Sequence, residues 1–174
     1  MKKLEWLIAA AAAVFAAPGA AQETECDRQC LIGQADAYLA ALVADDPTAV
    51  PLADDVVTVE NAKRIAAGDG LWDSVTAGPG EYLIHVPDPV SQQVGAMAMM
   101  EESGTPVLVG IRLKLEGGRI VEAEHMAARN LSAGQLANLQ KPRPALLREV
   151  PYEYADSRGR MIWLGKSYYD ALDN

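Results

Sequence analysis

The chain has 174 residues, with 24 acidic against 15 basic side chains and a formal net charge of −9, so its surface repels nucleic acid and anionic lipid. That length supports one domain of roughly 100–150 residues with a real core. Beyond the first segment no apolar run approaches the ~20 residues of a bilayer span.

The first residues are expected to direct export. Lys2 and Lys3 form a positive start, residues 4–17 are apolar apart from Glu5, and Pro18 and Gly19 then break any helix. Gly19 and Ala21 fit the small positions of a signal-peptidase site, which makes residues 1–21 a signal peptide and Gln22 the mature start. An uncleaved anchor is the alternative, but an apolar core of about 12 residues is short for a span. A secreted or periplasmic location is expected, with no membrane contact after cleavage. In that compartment Cys26 and Cys30, the only cysteines, are free to form a disulfide. Four residues apart on a helix, their α-carbons lie about 6 Å from each other, within disulfide range. Half of a metal site is the competing reading, but His85 and His125 are remote and lack finger spacing.

Residues 27–45 carry Leu31, Ala35, Tyr38, Leu39 and Leu42 at spacings of three and four, with Asp36 opposite, which predicts an amphipathic helix. Asp45-Asp46-Pro47 ends it, and a short helix or turn occupies the stretch to Pro51. Val56 to Val59 form a brief β-branched strand. Gly68-Asp69-Gly70 is turn chemistry, with Asp69 as the cap of a short helix bearing Leu71, Trp72 and Val75. Strands are expected at 82–86, 94–101, 107–115 and 119–127, the last three joined into an antiparallel meander by turns at Ser103-Gly104 and Gly117-Gly118.

The last hairpin has two candidate registers. A two-residue loop sets Glu122 opposite Leu113, whereas a three-residue loop sets Glu122 and Glu124 on the face of Arg112 and Lys114. The second avoids buried carboxylates and gains opposite-charge pairs worth roughly 0.2–1 kcal/mol each. It also aligns His125 with Val109, Ile111 and Leu113.

One long helix followed by a run of antiparallel strands makes an α+β cone, a curved antiparallel sheet wrapped around helices. The motifs that match are Asp36-Ala37-Tyr38, Val59-Glu60-Asn61 ahead of Gly68-Asp69-Gly70-Leu71-Trp72, and Arg112-Leu113-Lys114 leading into Gly117-Gly118-Arg119-Ile120-Val121-Glu122-Ala123-Glu124 and Arg129. In their order and spacing they resemble the nuclear transport factor 2-like (SnoaL-like) superfamily, in an uncharacterised and often duplicated branch. The likeness covers residues 27 to about 130, and the segment between Ala62 and Ala67 departs from it. The domain is therefore placed at 22–130, followed by a linker at 131–159 containing Pro142, Pro144 and Pro151, and a C-terminal helix at 160–174. Residues 161–172 lay over 31–42, with Tyr168 on Tyr38, Ala171 on Ala41 and Leu172 on Leu42. That is either the remnant of a second copy or a chance likeness between amphipathic helices.

The resemblance implies a pocket between the concave sheet face and the helices, and cofactor-free lyase, isomerase, cyclase or dehydratase chemistry on a small apolar molecule. Such chemistry needs His, Asp, Glu or Tyr in an apolar cavity that moves pKa values toward neutrality. His125 is the first catalytic candidate, as a general base or else a structural core histidine; Asp88, between Pro87 and Pro89, and Tyr38 are its candidate partners. Glu60, Asn61, Trp72, Tyr82 and His85 are the candidate ligand-binding residues; a loop cap is the alternative for Glu60 and Asn61, the core for Trp72 and a surface role for His85. Arg112, Lys114, Glu122 and Glu124 are expected to be a solvated salt ladder. Neither a phosphate-binding glycine loop nor a nucleophile elbow occurs, so no cofactor and no metal are expected. The alternative to an enzyme is a non-catalytic ligand-binding domain, or a homodimer formed through the sheet face.

Overall fold

The computed structural model describes residues 25–172; the expected signal peptide lies outside them. Helix α1, Arg28–Ala44, starts where the Asp27 carboxylate accepts from the Cys30 amide at 2.8 Å. It ends at Asp45 in the left-handed conformation. Cys26 and Cys30 are joined in a disulfide across this start. Gln92 pins the same turn through two hydrogen bonds to the Cys26 backbone.

A single turn of 3-10 helix at Pro47–Ala49 leads into β1, Leu52–Glu60, which is longer than the four residues expected. Strand β2, Lys63–Ile65, returns alongside it. Asn61 and Ala62, both at positive φ, make the tight turn between them, the geometry of a two-residue hairpin loop. Then come α2, Leu71–Ser74, and β3, Val75–Ala77. Gly70, rather than Asp69, occupies the cap of α2, and no side chain of the preceding turn bonds to it. Strand β4, Leu83–Asp88, follows, and then β5, Gln93–Glu102, β6, Thr105–Glu116, and β7, Arg119–Ala128, make the expected meander.

The strands form one seven-stranded sheet in the order β2-β1-β7-β6-β5-β3, with β4 also on β5. The β1–β7 pairing is parallel, so the sheet is mixed and not wholly antiparallel. The β6–β7 hairpin reaches the expected pairing by another route. Glu116 faces Arg119 across a two-residue turn, and a bulge between Lys114 and Leu115 then shifts the register. Beyond it Lys114 faces Glu122, Arg112 faces Glu124, and Ile111 faces His125. The bulge supplies the extra residue that the charge pairing demanded of the loop.

Leu31, Ala35, Tyr38, Leu39 and Leu42 are all buried where α1 lies in the hollow of the curled sheet. Facing them are Val94, Ala98 and Met100 of β5, Val109, Ile111 and Leu113 of β6, and Ala123 and His125 of β7. This is the cone, a helix held inside a curved sheet. Past β7 the chain forms α3, Ala133–Asn138, α4, Pro144–Leu147, and α5, Arg158–Leu172. Among the described residues beyond β7 only Pro142 is buried. No helix among the described residues is long and apolar enough to cross a membrane.

Candidate functional site

Alternation along β7 turns Ala123 and His125 inward, and the three- and four-residue spacing of α1 turns Tyr38 toward them. The Tyr38 hydroxyl and His125 Nε2 lie 2.8 Å apart inside the core. His125 is fully buried, and its Nδ1 has no hydrogen-bond partner. The nearest charge to that nitrogen is the Glu60 carboxylate, with Oε2 3.9 Å away. A proton on Nδ1 facing a carboxylate is electrostatically favoured over a lone pair there, so Nε2 accepts from the Tyr38 hydroxyl. Burial lowers the His125 pKa, and the Glu60 charge opposes that effect only in part. Burial likewise pushes the Tyr38 hydroxyl well above its ordinary range. Both groups are thus neutral near pH 7, one a base and the other a hydrogen-bond donor.

A cap closes over this pair. The Trp72 ring meets Tyr38 edge-on at 5.2 Å between centroids. Helix α2, which carries Trp72, is fastened at each end: the Leu71 amide donates to Glu60 Oε2 at 2.9 Å, and Ser74 Oγ donates to Glu102 Oε1 at 2.7 Å. Arg129, just past β7, ties the two carboxylates together. It donates to Glu102 at 2.6 and 2.7 Å and to Glu60 at 3.4 Å. The guanidinium beside Glu102 holds that carboxyl below its usual range. Asn61 closes the same end of the sheet, accepting from the Ala127 amide at 3.0 Å and donating to its carbonyl at 3.2 Å.

Five of the residues singled out in the sequence therefore meet here: Tyr38, His125, Glu60, Asn61 and Trp72. Glu60 has the capping task given as its alternative and also faces the imidazole. Arg129, Glu102 and Ser74 were not among the candidates; the place of Arg129 just after the last motif was the signal that pointed to it. The remaining candidates lie elsewhere. Asp88 does not meet His125; it sits at the end of β4, ion-paired to Arg158 and bonded by Ser91 at 2.7 Å. Those donors hold its pKa down to about 2, and the carboxylate beside His125 is Glu60. His85 bonds Asp36 of α1 at 2.7 Å. Tyr82 lies on the outer side of the sheet, its hydroxyl 3.8 Å from Met97 Sδ. The Arg112, Lys114, Glu122 and Glu124 ladder forms as expected, with ion pairs of 2.9–3.4 Å on side chains about one-third exposed.

Among the described residues, the clefts that stand out do not reach the Tyr38–His125 pair. One of about 440 Å³ lies between Gly78-Pro79-Gly80 and Leu136 and Leu139 of α3. A second, of about 200 Å³, is an apolar groove on the outer sheet face between Met97 and Met126. Neither is lined by His125. The arrangement beneath α2 is a base and a hydroxyl donor held in an apolar interior under a cap. Among the described residues no group of three or more His, Cys, Asp or Glu is placed to hold a metal ion.

A family model described as domain of unknown function (DUF8021) matches residues 24–127. No curated protein matches the chain. Among solved structures it is similar to a protein from Kribbella flavida, at 19% identity over 56% of this chain and 86% of that one, TM-score 0.43. It is also similar to an NTF2-like protein from Cytophaga hutchinsonii, at 12% identity over 59% and 99%, TM-score 0.42. A third is an NTF-2 like protein of unknown function from Burkholderia xenovorans, at 13% identity over 65% and 94%, TM-score 0.43.

Proposed function

We propose that this chain, which belongs to the DUF8021 family of domains of unknown function, is an exported pocket domain that isomerises a small apolar carbonyl compound by acid-base chemistry without a cofactor. The observation that carries this reading is the Tyr38–His125 pair, buried with one imidazole nitrogen unpartnered and a carboxylate behind it. An unpaired polar atom in a packed interior costs about 1–3 kcal/mol. A base with its pKa lowered by burial is a recurrent mark of a working site.

The geometry supports the following roles. When α2 lifts, a ligand carbonyl takes the Tyr38 hydroxyl as its donor, which frees Nε2 of His125. Nε2 removes the proton next to the carbonyl; the C–H bond breaks, an N–H bond forms, and the electron pair moves onto the carbonyl oxygen under the Tyr38 hydrogen bond. The imidazolium proton, exchangeable with solvent, is then delivered to another carbon to give the isomer or back to the first to give exchange, and either step restores neutral imidazole. Glu60 stabilises the imidazolium between these steps, and Arg129 holds the Glu60 side chain in position.

A panel of cyclic ketones and β,γ-unsaturated ketones in D₂O tests the reading, with deuterium entry next to the carbonyl followed by NMR. The expected result is exchange that falls about 10²-fold or more in His125→Ala and less in Tyr38→Phe, the size of a lost general base. Wild-type protein no faster than folded His125→Ala across the panel overturns the catalytic role.

A further inference from the structure

Helix α5 repeats the side chains of α1 without their surroundings. Met161, Gly165, Tyr168 and Leu172 stand at the same spacings as Leu31, Ala35, Tyr38 and Leu42. The α1 set is buried against the inner face of the sheet. The α5 set is open to water: Met161 is 56%, Tyr168 63% and Leu172 64% exposed. A Cβ added at Gly165 would meet no atom within 4 Å. A glycine inside a helix costs about 1 kcal/mol against alanine, and the packing within one copy gives no return for it. Only the first turn of α5 meets the sheet, at the end of β4, and the rest of its apolar stripe is left uncovered.

The sheet has the complementary vacancy on its outer face. Met97, Gly110 and Met126 stand in one row across β5, β6 and β7, with the two methionines 42% and 54% exposed. Gly110 is the low floor between them, and Leu108 and Ala128 continue the groove. The charged ladder bounds it on one side. Within one copy the two surfaces do not meet, because the Arg158–Asp88 ion pair pins the first turn of α5 against Val86 and Pro87 at the end of β4.

We propose that the groove is filled by α5 of a second copy, in a reciprocal exchange that makes a two-fold dimer. The stripe of Met161, Leu164, Tyr168, Tyr169 and Leu172 offers on the order of 500 Å² per helix, given the 150–250 Å² of a whole aromatic side chain and somewhat less for an aliphatic one. Matched by an equal area of sheet and counted twice, it reaches about 2,000 Å², at the upper end of the ~1,200–2,000 Å² of stable interfaces. A glycine at position 165 lets the helix axis come close to the flat Gly110 row. Two-fold closure covers both exposed surfaces on each copy and leaves neither free to propagate a chain of copies.

The mature protein is examined by light scattering and as the double variant Met126→Cys/Gly165→Cys, oxidised and run without reductant, with each single variant as control. The expected results are a dimer mass and a covalent dimer that needs both cysteines. Tyr168→Asp/Leu172→Asp is expected to raise the dissociation constant at least tenfold while the unfolding of the cone stays cooperative. Three results overturn the proposal: a monomer at every concentration, closure of the double cysteine variant within one chain, or a dimer indifferent to the two aspartates. None of them depends on whether His125 is catalytic.

Discussion

His125 stores a proton balance that makes folding sensitive to mild acid. Its pKa in the folded protein is lowered, chiefly by burial, while the unfolded chain binds a proton near the ordinary value of about 6.5. Below that value the unfolded state takes up a proton that the folded state refuses, so stability falls as pH drops and continues to fall until the lowered pKa is reached. Above about pH 7 the effect is absent. A series of thermal melts should therefore be flat from pH 7 to 8 and slope downward from 6.5 to 5, with every tenfold loss of proton affinity on folding worth about 1.4 kcal/mol. His125→Asn, which carries no titrating proton, should lose that slope; an unchanged slope would assign it to another group. The Glu102 carboxyl, held low by Arg129, contributes in a separate window below its ordinary range. The inward direction of His125 was legible in the sequence, because the hairpin register followed from the pairing of Arg112 and Lys114 with Glu122 and Glu124. Its partner was not. Asp88 looked fixed between two prolines, yet only the fold decides that the end of β4 lies away from β7 and the end of β1 lies beside it.

At the level of elements, α2 is the piece whose sequence and role match least directly. Four residues make a poor helix alone, and this one has no side-chain cap in the preceding turn. It depends on Glu60, eleven residues back, and on Gly70. Gly70 has φ of 72°, and a Cβ there would stand 2.4 Å from Glu60 Oε2. Gly70→Ala is expected to cost about 1–3 kcal/mol through backbone strain and displaced Glu60, read as a lower urea midpoint. Gly33→Ala on the open side of α1, where a Cβ meets nothing within 4 Å, should instead be neutral or gain up to about 1 kcal/mol. Equal losses at both sites would refute the dependence of α2 on Gly70. Helix α1 and the meander were visible in the sequence because their periods of 3.6 and 2 run for many residues. Strands β2 and β3 were not, since three residues carry too little period to register. The parallel pairing of β1 was hidden as well, because a strand's own sequence does not say which neighbour it will take.

For the molecule as a whole, the cone and the tail are separate in energy. Beyond β7 almost nothing is buried in one copy, so ending the chain after Leu131 should preserve a single cooperative unfolding transition. The same truncation should remove any dependence of the melting temperature on protein concentration, since it takes away the exchanging helix. Loss of cooperativity on truncation would place the tail inside the core and contradict the burial pattern. The likeness of residues 161–172 to α1 was legible at once, but its consequence required knowing that α1 packs on a sheet and α5 does not.

The parallel β1–β7 pairing also favours one order of events over another. Asn61 and Ala127 are 66 residues apart and bond to each other, while the β5–β6 and β6–β7 hairpins close between near neighbours. Local hairpins can form within microseconds, but joining β1 to β7 must bring distant parts of the chain together against a larger loop entropy. The meander is thus the natural first structure, and β1 with α1 can be locked in only after the last strand exists. A chain that emerges from its N-terminus must hold its first helix and strand open until then, with Leu31, Tyr38 and Leu42 exposed to whatever binds nascent apolar segments.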